Sequence, residues 1–123
     1  MTRLLRRSFL PLAVLAACAV VCPPASAGVP AQASKTCDPG NTRGYGTTYV
    51  LRISVSGGPT CSGAKQLIKT FHGCRPGKRG RCPRVAGYRC SENRSNSTSQ
   101  SYDSRVSCRK GGRTVKHTYT QFL

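Results

Sequence analysis

The chain has 123 residues, with 20 Lys and Arg against three acids, a formal charge of +17 and eight cysteines. So few carboxylates and only two histidines leave a narrow base for acid–base or metal chemistry. A charge of this size directs attention to anionic partners.

Arg3, Arg6 and Arg7 form a basic start, an apolar run extends from Phe9 to Cys22, and Pro-Pro-Ala-Ser-Ala ends at Ala27. This is the pattern of a signal peptide over residues 1–27, cleaved after Ala27. Arg6-Arg7-Ser8-Phe9-Leu10 is similar to a twin-arginine export motif, with general secretory export as the alternative, and Leu15-Ala16-Ala17-Cys18 is similar to a lipobox. Residues after Cys18 stay apolar, whereas a lipid anchor is usually followed by a polar tether, so secretion is the first reading and lipid anchoring at Cys18 the alternative. No stretch reaches the ~20 apolar residues of a transmembrane helix.

Cleavage leaves 96 residues, one domain. Three basic residues leave with the signal while Asp38, Glu92 and Asp103 stay, so the charge falls from +17 to +14. Cys37, Cys61, Cys74, Cys82, Cys90 and Cys108 remain, an even count that reads as a disulfide framework. The intervening lengths of 23, 12, 7, 7 and 17 residues contain no close pair of the kind structural zinc uses, so no metal or other cofactor is expected. Six cysteines allow fifteen pairings. Cys74 with Cys82 is the favoured one, because Arg-Pro-Gly-Lys-Arg-Gly-Arg between them turns back easily.

Residues 28–36 are rich in Ala, Pro, Gln and Ser and read as a flexible leader to a domain over 37–123. Asp38-Pro39-Gly40-Asn41 is turn chemistry. Leu51, Ile53 and Val55 alternate with Arg52 and Ser54, predicting a strand over 49–56 that Gly57-Gly58-Pro59 stops. Thr60 or Ser62 caps a helix whose apolar positions Ala64, Leu67, Ile68 and Phe71 recur at helical spacing, with Gly73 placed to end it. Residues 84–91 alternate as a strand with Tyr88 and Cys90 on one face, and the polar stretch 92–101 reads as a solvated connection. Strands over 102–109 and 114–122 then flank Lys110-Gly111-Gly112-Arg113, a hairpin turn. The order β-α-β-β-β predicts an α+β fold: one helix on a small antiparallel sheet, linked by disulfides. The sequons at Asn93 and Asn96 follow from local composition and are assigned no role.

Four features recur in order: a strand leading to a cysteine at a helix start (Cys61 with Ala64), Gly87-Tyr88-Arg89-Cys90, Val106-Ser107-Cys108-Arg109, and a last strand from Val115. Through these, residues 50–123 resemble a group of small cysteine-containing secreted proteins of actinobacteria of unknown function. The resemblance implies export and an α+β fold, and no reaction or ligand. Cys74 and Cys82 stand out as an addition to a four-cysteine pattern, which favours their pairing with each other.

For catalysis, Glu92 and Asp103 flank the polar connection, a poor platform for paired carboxylates, and no nucleophile-elbow motif accompanies the serines. His72 near the helix end and His117 on the last strand are the candidates for a metal-free ribonuclease. The plainer reading makes His72 a helix-terminal residue and His117 a half-exposed strand residue. The chain is therefore read as non-enzymatic.

Basic residues gather in two places, Arg75, Lys78, Arg79, Arg81 and Arg84 around the Cys74–Cys82 loop, and Arg105, Arg109, Lys110 and Arg113 around the last hairpin. Brought together by the sheet, they form one surface for anionic envelope polymers. Specific nucleic-acid readout is not expected, since no aromatic-basic motif accompanies the charge. A protease inhibitor presenting Arg79 or Arg81 from the closed loop is the alternative. The protein is expected to act as a monomer. Intact mass of the exported protein checks the processing and the cysteines together: a chain starting at Gly28 that gains about 6 Da on reduction is the expected result.

Overall fold

Thr60 sets the start of the helix. Its backbone is extended (φ −78°, ψ 157°), and its Oγ1 accepts a 3.0 Å hydrogen bond from the Gly63 amide, capping α1, Cys61–Cys74. Ala64, Leu67, Ile68 and Phe71 are all buried, as their spacing predicts. The helix ends at Cys74 and passes through Gly73. The terminator is Pro76, whose ring excludes helical geometry at Arg75 and leaves that residue extended (φ −71°, ψ 126°).

The computed structural model describes residues 33–40 and 42–123; the signal segment with its twin arginines and Cys18, and the leader before residue 33, lie outside them. The strands are β1 (Lys35–Cys37), β2 (Thr48–Ser56), β3 (Arg84–Val85), β4 (Tyr88–Ser95), β5 (Ser101–Lys110) and β6 (Arg113–Phe122), with a 3-10 turn at Thr42–Tyr45 before β2. They form one antiparallel sheet in the order β1-β2-β6-β5-β4-β3. One helix on an antiparallel sheet is the α+β arrangement expected. With six strands the sheet is larger than expected, and the element order is β-β-α-β-β-β-β rather than β-α-β-β-β.

Three local departures account for the difference. Lys35 and Thr36, assigned by composition to the leader, pair with Val55 and Ser54 because Cys37 is bonded to Cys61 and holds this segment against the β2 edge. The strand foreseen over 84–91 is two strands, folded at Ala86-Gly87, where both residues take positive φ (49° and 78°) in a hairpin turn. The connection foreseen over 92–101 is strand as far as Ser95, paired residue by residue with β5. Apolar periodicity missed it because its inward positions Glu92 and Arg94 are polar, and they find partners inside the sheet.

The core lies between α1 and the inner face of the sheet. Ile53 and Val55 of β2, Val115 and Tyr119 of β6, and Val106 and Cys108 of β5 meet Leu67, Ile68 and Phe71 in one cluster. The disulfides fasten it: Cys37–Cys61 joins β1 to the helix start, Cys74–Cys82 joins the helix end to the approach to β3, and Cys90–Cys108 joins directly opposed residues of β4 and β5.

Ala86 is solvent-exposed and sits in the left-handed region that costs an L side chain about 1–2 kcal/mol. Ala86→Gly is expected to raise stability by about 1 kcal/mol, read as an increased urea midpoint with an unchanged m-value.

Candidate functional site

The outer face of the sheet is built from the alternate positions that the core does not use. Cross-strand pairing lines these positions up in rungs. Arg84 opposes Arg89, Arg89 opposes Arg109, and Arg109 opposes Thr114, so three arginines lie side by side across β3, β4 and β5. Arg52, Thr118, Arg105 and Asn93 form a second rung. Between them runs a rung of Ser54, Lys116, Ser107 and Ser91. Neighbouring strands are ~4.8 Å apart and alternate residues ~6.8 Å apart, so six cations share one face with hydroxyls and an amide interleaved. A shallow groove of about 480 Å³ runs over this face, lined among others by Arg52, Arg105, Lys116, Ser91 and Thr118.

One acid stands on this face, and it offsets one of the six cations. Asp103, on the same face, accepts hydrogen bonds from Asn96 and Thr120, which hold its carboxyl below the usual range. The ion pair among the described residues is Arg94 with Glu92, on the inner face. Like charges directly opposed on adjacent strands are destabilising, by a few tenths to ~1 kcal/mol a pair.

The basic residues singled out in the sequence divide between the two sides. Arg84, Arg105 and Arg109 belong to the outer face, joined by Arg52, Arg89 and Lys116, which strand alternation alone identifies as outward-facing. Lys110 leans over the Tyr88 ring, 5.8 Å from its centroid, and Arg113 sits at the last hairpin. The Cys74–Cys82 loop packs on the helix side, where Arg81 donates to the Glu92 carbonyl and the Arg79 carbonyl accepts from Arg94. Arg75 is only 7% exposed. Arg84 of the first group thus joins Arg105 and Arg109 of the second on the outer face, while Arg75 is buried on the helix side. The loop itself is turned, with its Gly80 carbonyl held by both Arg75 and Arg94.

On the inner face the sheet encloses a polar cluster. Glu92 Oε1 accepts from Tyr119 Oη at 2.6 Å, Arg94 Nε at 2.7 Å and Ser104 Oγ at 3.1 Å. Burial pushes this carboxyl up, but hydrogen bonds from Arg94 and Tyr119, the Arg94 charge and the Ser104 hydroxyl outweigh it and hold the group below its ordinary value. Glu92 and Asp103 are thus both on strands, Glu92 on the inner face and Asp103 on the outer.

The two histidines do meet, with ring centroids 5.3 Å apart. His72 sits in the last turn of α1, as its plain reading has it, whereas His117 is not half-exposed: it is 3% exposed, packed against Phe71, His72 and Tyr119. Arg75 Nη1 lies 2.9 Å from His72 Nδ1, and since a guanidinium only donates, Nδ1 accepts and the neutral ring carries its hydrogen on Nε2. His72 Nε2 and both His117 nitrogens have no partner among the described residues. Burial, then the Arg75 charge, pushes His72 down to about 3; burial, then His72, pushes His117 down to about 3. Both rings are neutral at physiological pH, and His117 is enclosed by the core. Among the described residues no His, Cys, Asp or Glu cluster suits a metal, and no helix is long and apolar enough to cross a membrane.

No known protein family, characterised protein or solved structure matches the chain.

Above pH ~6.5 the histidines are neutral folded and unfolded and contribute no pH dependence. Below it the unfolded chain binds protons that the native core excludes, so stability falls with pH down to about 3. Equilibrium unfolding from pH 7 to 4 is expected to lose up to about 2.7 kcal/mol per pH unit, the limit for two such groups. His117→Phe is expected to halve that slope.

Proposed function

We propose that the protein is an exported, non-enzymatic module that binds anionic polymers of the cell envelope across the outer face of its sheet. The observation that carries this reading is the rung of Arg84, Arg89 and Arg109, three like charges opposed with no acid among them. Folding gains nothing from that juxtaposition, whereas a chain of phosphates or carboxylates laid across it turns repulsion into attraction. The interleaved serines, threonines and asparagine suit the same ligand, since they donate to the oxygens of phosphates and sugars.

Three disulfides suit an oxidising, extracellular setting, which the signal pattern and the resemblance to secreted actinobacterial proteins also favour. Inhibition of a protease through Arg79 or Arg81 is less favoured, because such a segment is presented extended and this loop is turned and tied by its carbonyls. A ribonuclease reading asks two neutral rings, His117 enclosed by the core and His72 bound through Nδ1 to Arg75, to exchange protons with a substrate, and is likewise secondary.

Binding of inorganic polyphosphate, followed by anisotropy across a salt series, tests the proposal. Affinity is expected to fall steeply with salt, and Arg89→Ser with Arg109→Ser to weaken binding at least tenfold and flatten the salt slope by about two charges, while Arg79→Ser changes little. The double variant is also expected to be no less stable than the parent. Salt-insensitive binding, or equal losses from Arg79→Ser, overturns the proposal.

A further inference from the structure

Arg75 is a cation buried without a counterion. Of the chain's three acids, Glu92 is engaged by Arg94, Asp103 by Asn96 and Thr120, and Asp38 by the Gly40 amide. The Arg75 guanidinium is held by neutral groups alone: the carbonyls of Gly80 and Lys78, the hydroxyl of Tyr102 and His72 Nδ1. These use four of its five N–H bonds, and the second Nη1 hydrogen has no partner among the described residues. A buried charge of this kind is normally paired.

Arg75 and His72 line the wall of a cavity of about 550 Å³ between the end of α1 and the turn that leads into β2. Lys69 and Lys78, both exposed, line the same cavity, so three permanent cations converge on it and no carboxylate does. Gly46 and Gly77 contribute bare backbone to the wall, and their positive φ (75° and 68°) keeps larger residues out. The cavity lies on the helix side, separate from the outer rungs of arginine.

From the uncompensated Arg75 and the two converging lysines, we infer that this cavity is a binding site for a doubly charged phosphate group. Three cations match a phosphate dianion better than a single carboxylate, and a planar guanidinium with a free N–H gives the site a fixed donor. The cavity is larger than bare phosphate needs, so a phosphate monoester, free or at the end of a chain, fits as well as the inorganic ion.

NMR titration of the mature, oxidised protein with inorganic phosphate and, separately, with phenyl phosphate tests this site without depending on polymer binding at the outer face. Saturable shifts of the Gly46 and Gly77 amides and the His72 ring are expected with inorganic phosphate, and matching shifts with phenyl phosphate would show that the monoester is admitted. Lys69→Gln and Lys78→Gln, surface changes that spare the fold, are each expected to weaken binding about tenfold, whereas Arg89→Ser with Arg109→Ser leaves it unchanged. No saturable shifts with either probe, shifts confined to the outer face, or unchanged affinity in both lysine variants overturns the site.

Discussion

The Glu92 carboxylate is the anion around which the inner half of the sheet is organised. It takes hydrogen bonds from β6 through Tyr119, from β5 through Ser104 and from its own strand through Arg94. Arg94 also donates to the Arg79 and Gly80 carbonyls, which ties the disulfide loop to the sheet. Polar groups buried this way are costly unless every member is partnered. Loss of the carboxylate would leave Arg94 as an unpaired charge and Tyr119 without an acceptor. The strand that carries Glu92 has almost no apolar side chain, so this network holds it in place of a hydrophobic face.

Around that anion the molecule has to accommodate a large excess of positive charge. It does so by separation: six cations stand on the solvated outer face, where water and salt screen them, and the loop cations stand behind the sheet. The disulfides oppose the remaining self-repulsion. Each closes a loop that the unfolded chain would otherwise leave open, and a staple of this kind is typically worth ~2–4 kcal/mol. For a small domain that is a large share of the net stability.

The same separation shapes the functional reading. The outer face is flat, repetitive and rich in hydroxyls between cations, which suits a repeating polyanion read by charge rather than by sequence or shape. The cavity behind the sheet is built around one immobilised guanidinium and suits a single compact anion. Of the paired histidines, His72 lines that cavity and His117 is packed in the core. Their burial makes them packing groups at neutral pH and a source of acid sensitivity below it.

The helix was legible in the sequence because its determinants are local, a capping threonine and four apolar positions at helical spacing, although its stop was read at Gly73 and lies at Pro76. The same holds for β2, β5, β6 and the Lys110–Arg113 turn, where alternation and turn residues lie within a few positions of one another. Strand alternation also marks Arg52, Arg89 and Lys116 as outward-facing, a signal that clustering by sequence position passed over. The even cysteine count implied a disulfide framework, and the short Cys74–Cys82 loop its closest pairing. Only the tertiary structure decided the rest. That Arg84, Arg89 and Arg109 share a rung depends on strand register, that Glu92 meets Tyr119 depends on contact across 27 residues, and that Arg75 is buried depends on Tyr102 and the folded loop. Such pairings are set by chain closure and by the balance of burial against hydrogen bonding, and neither is written in local pattern.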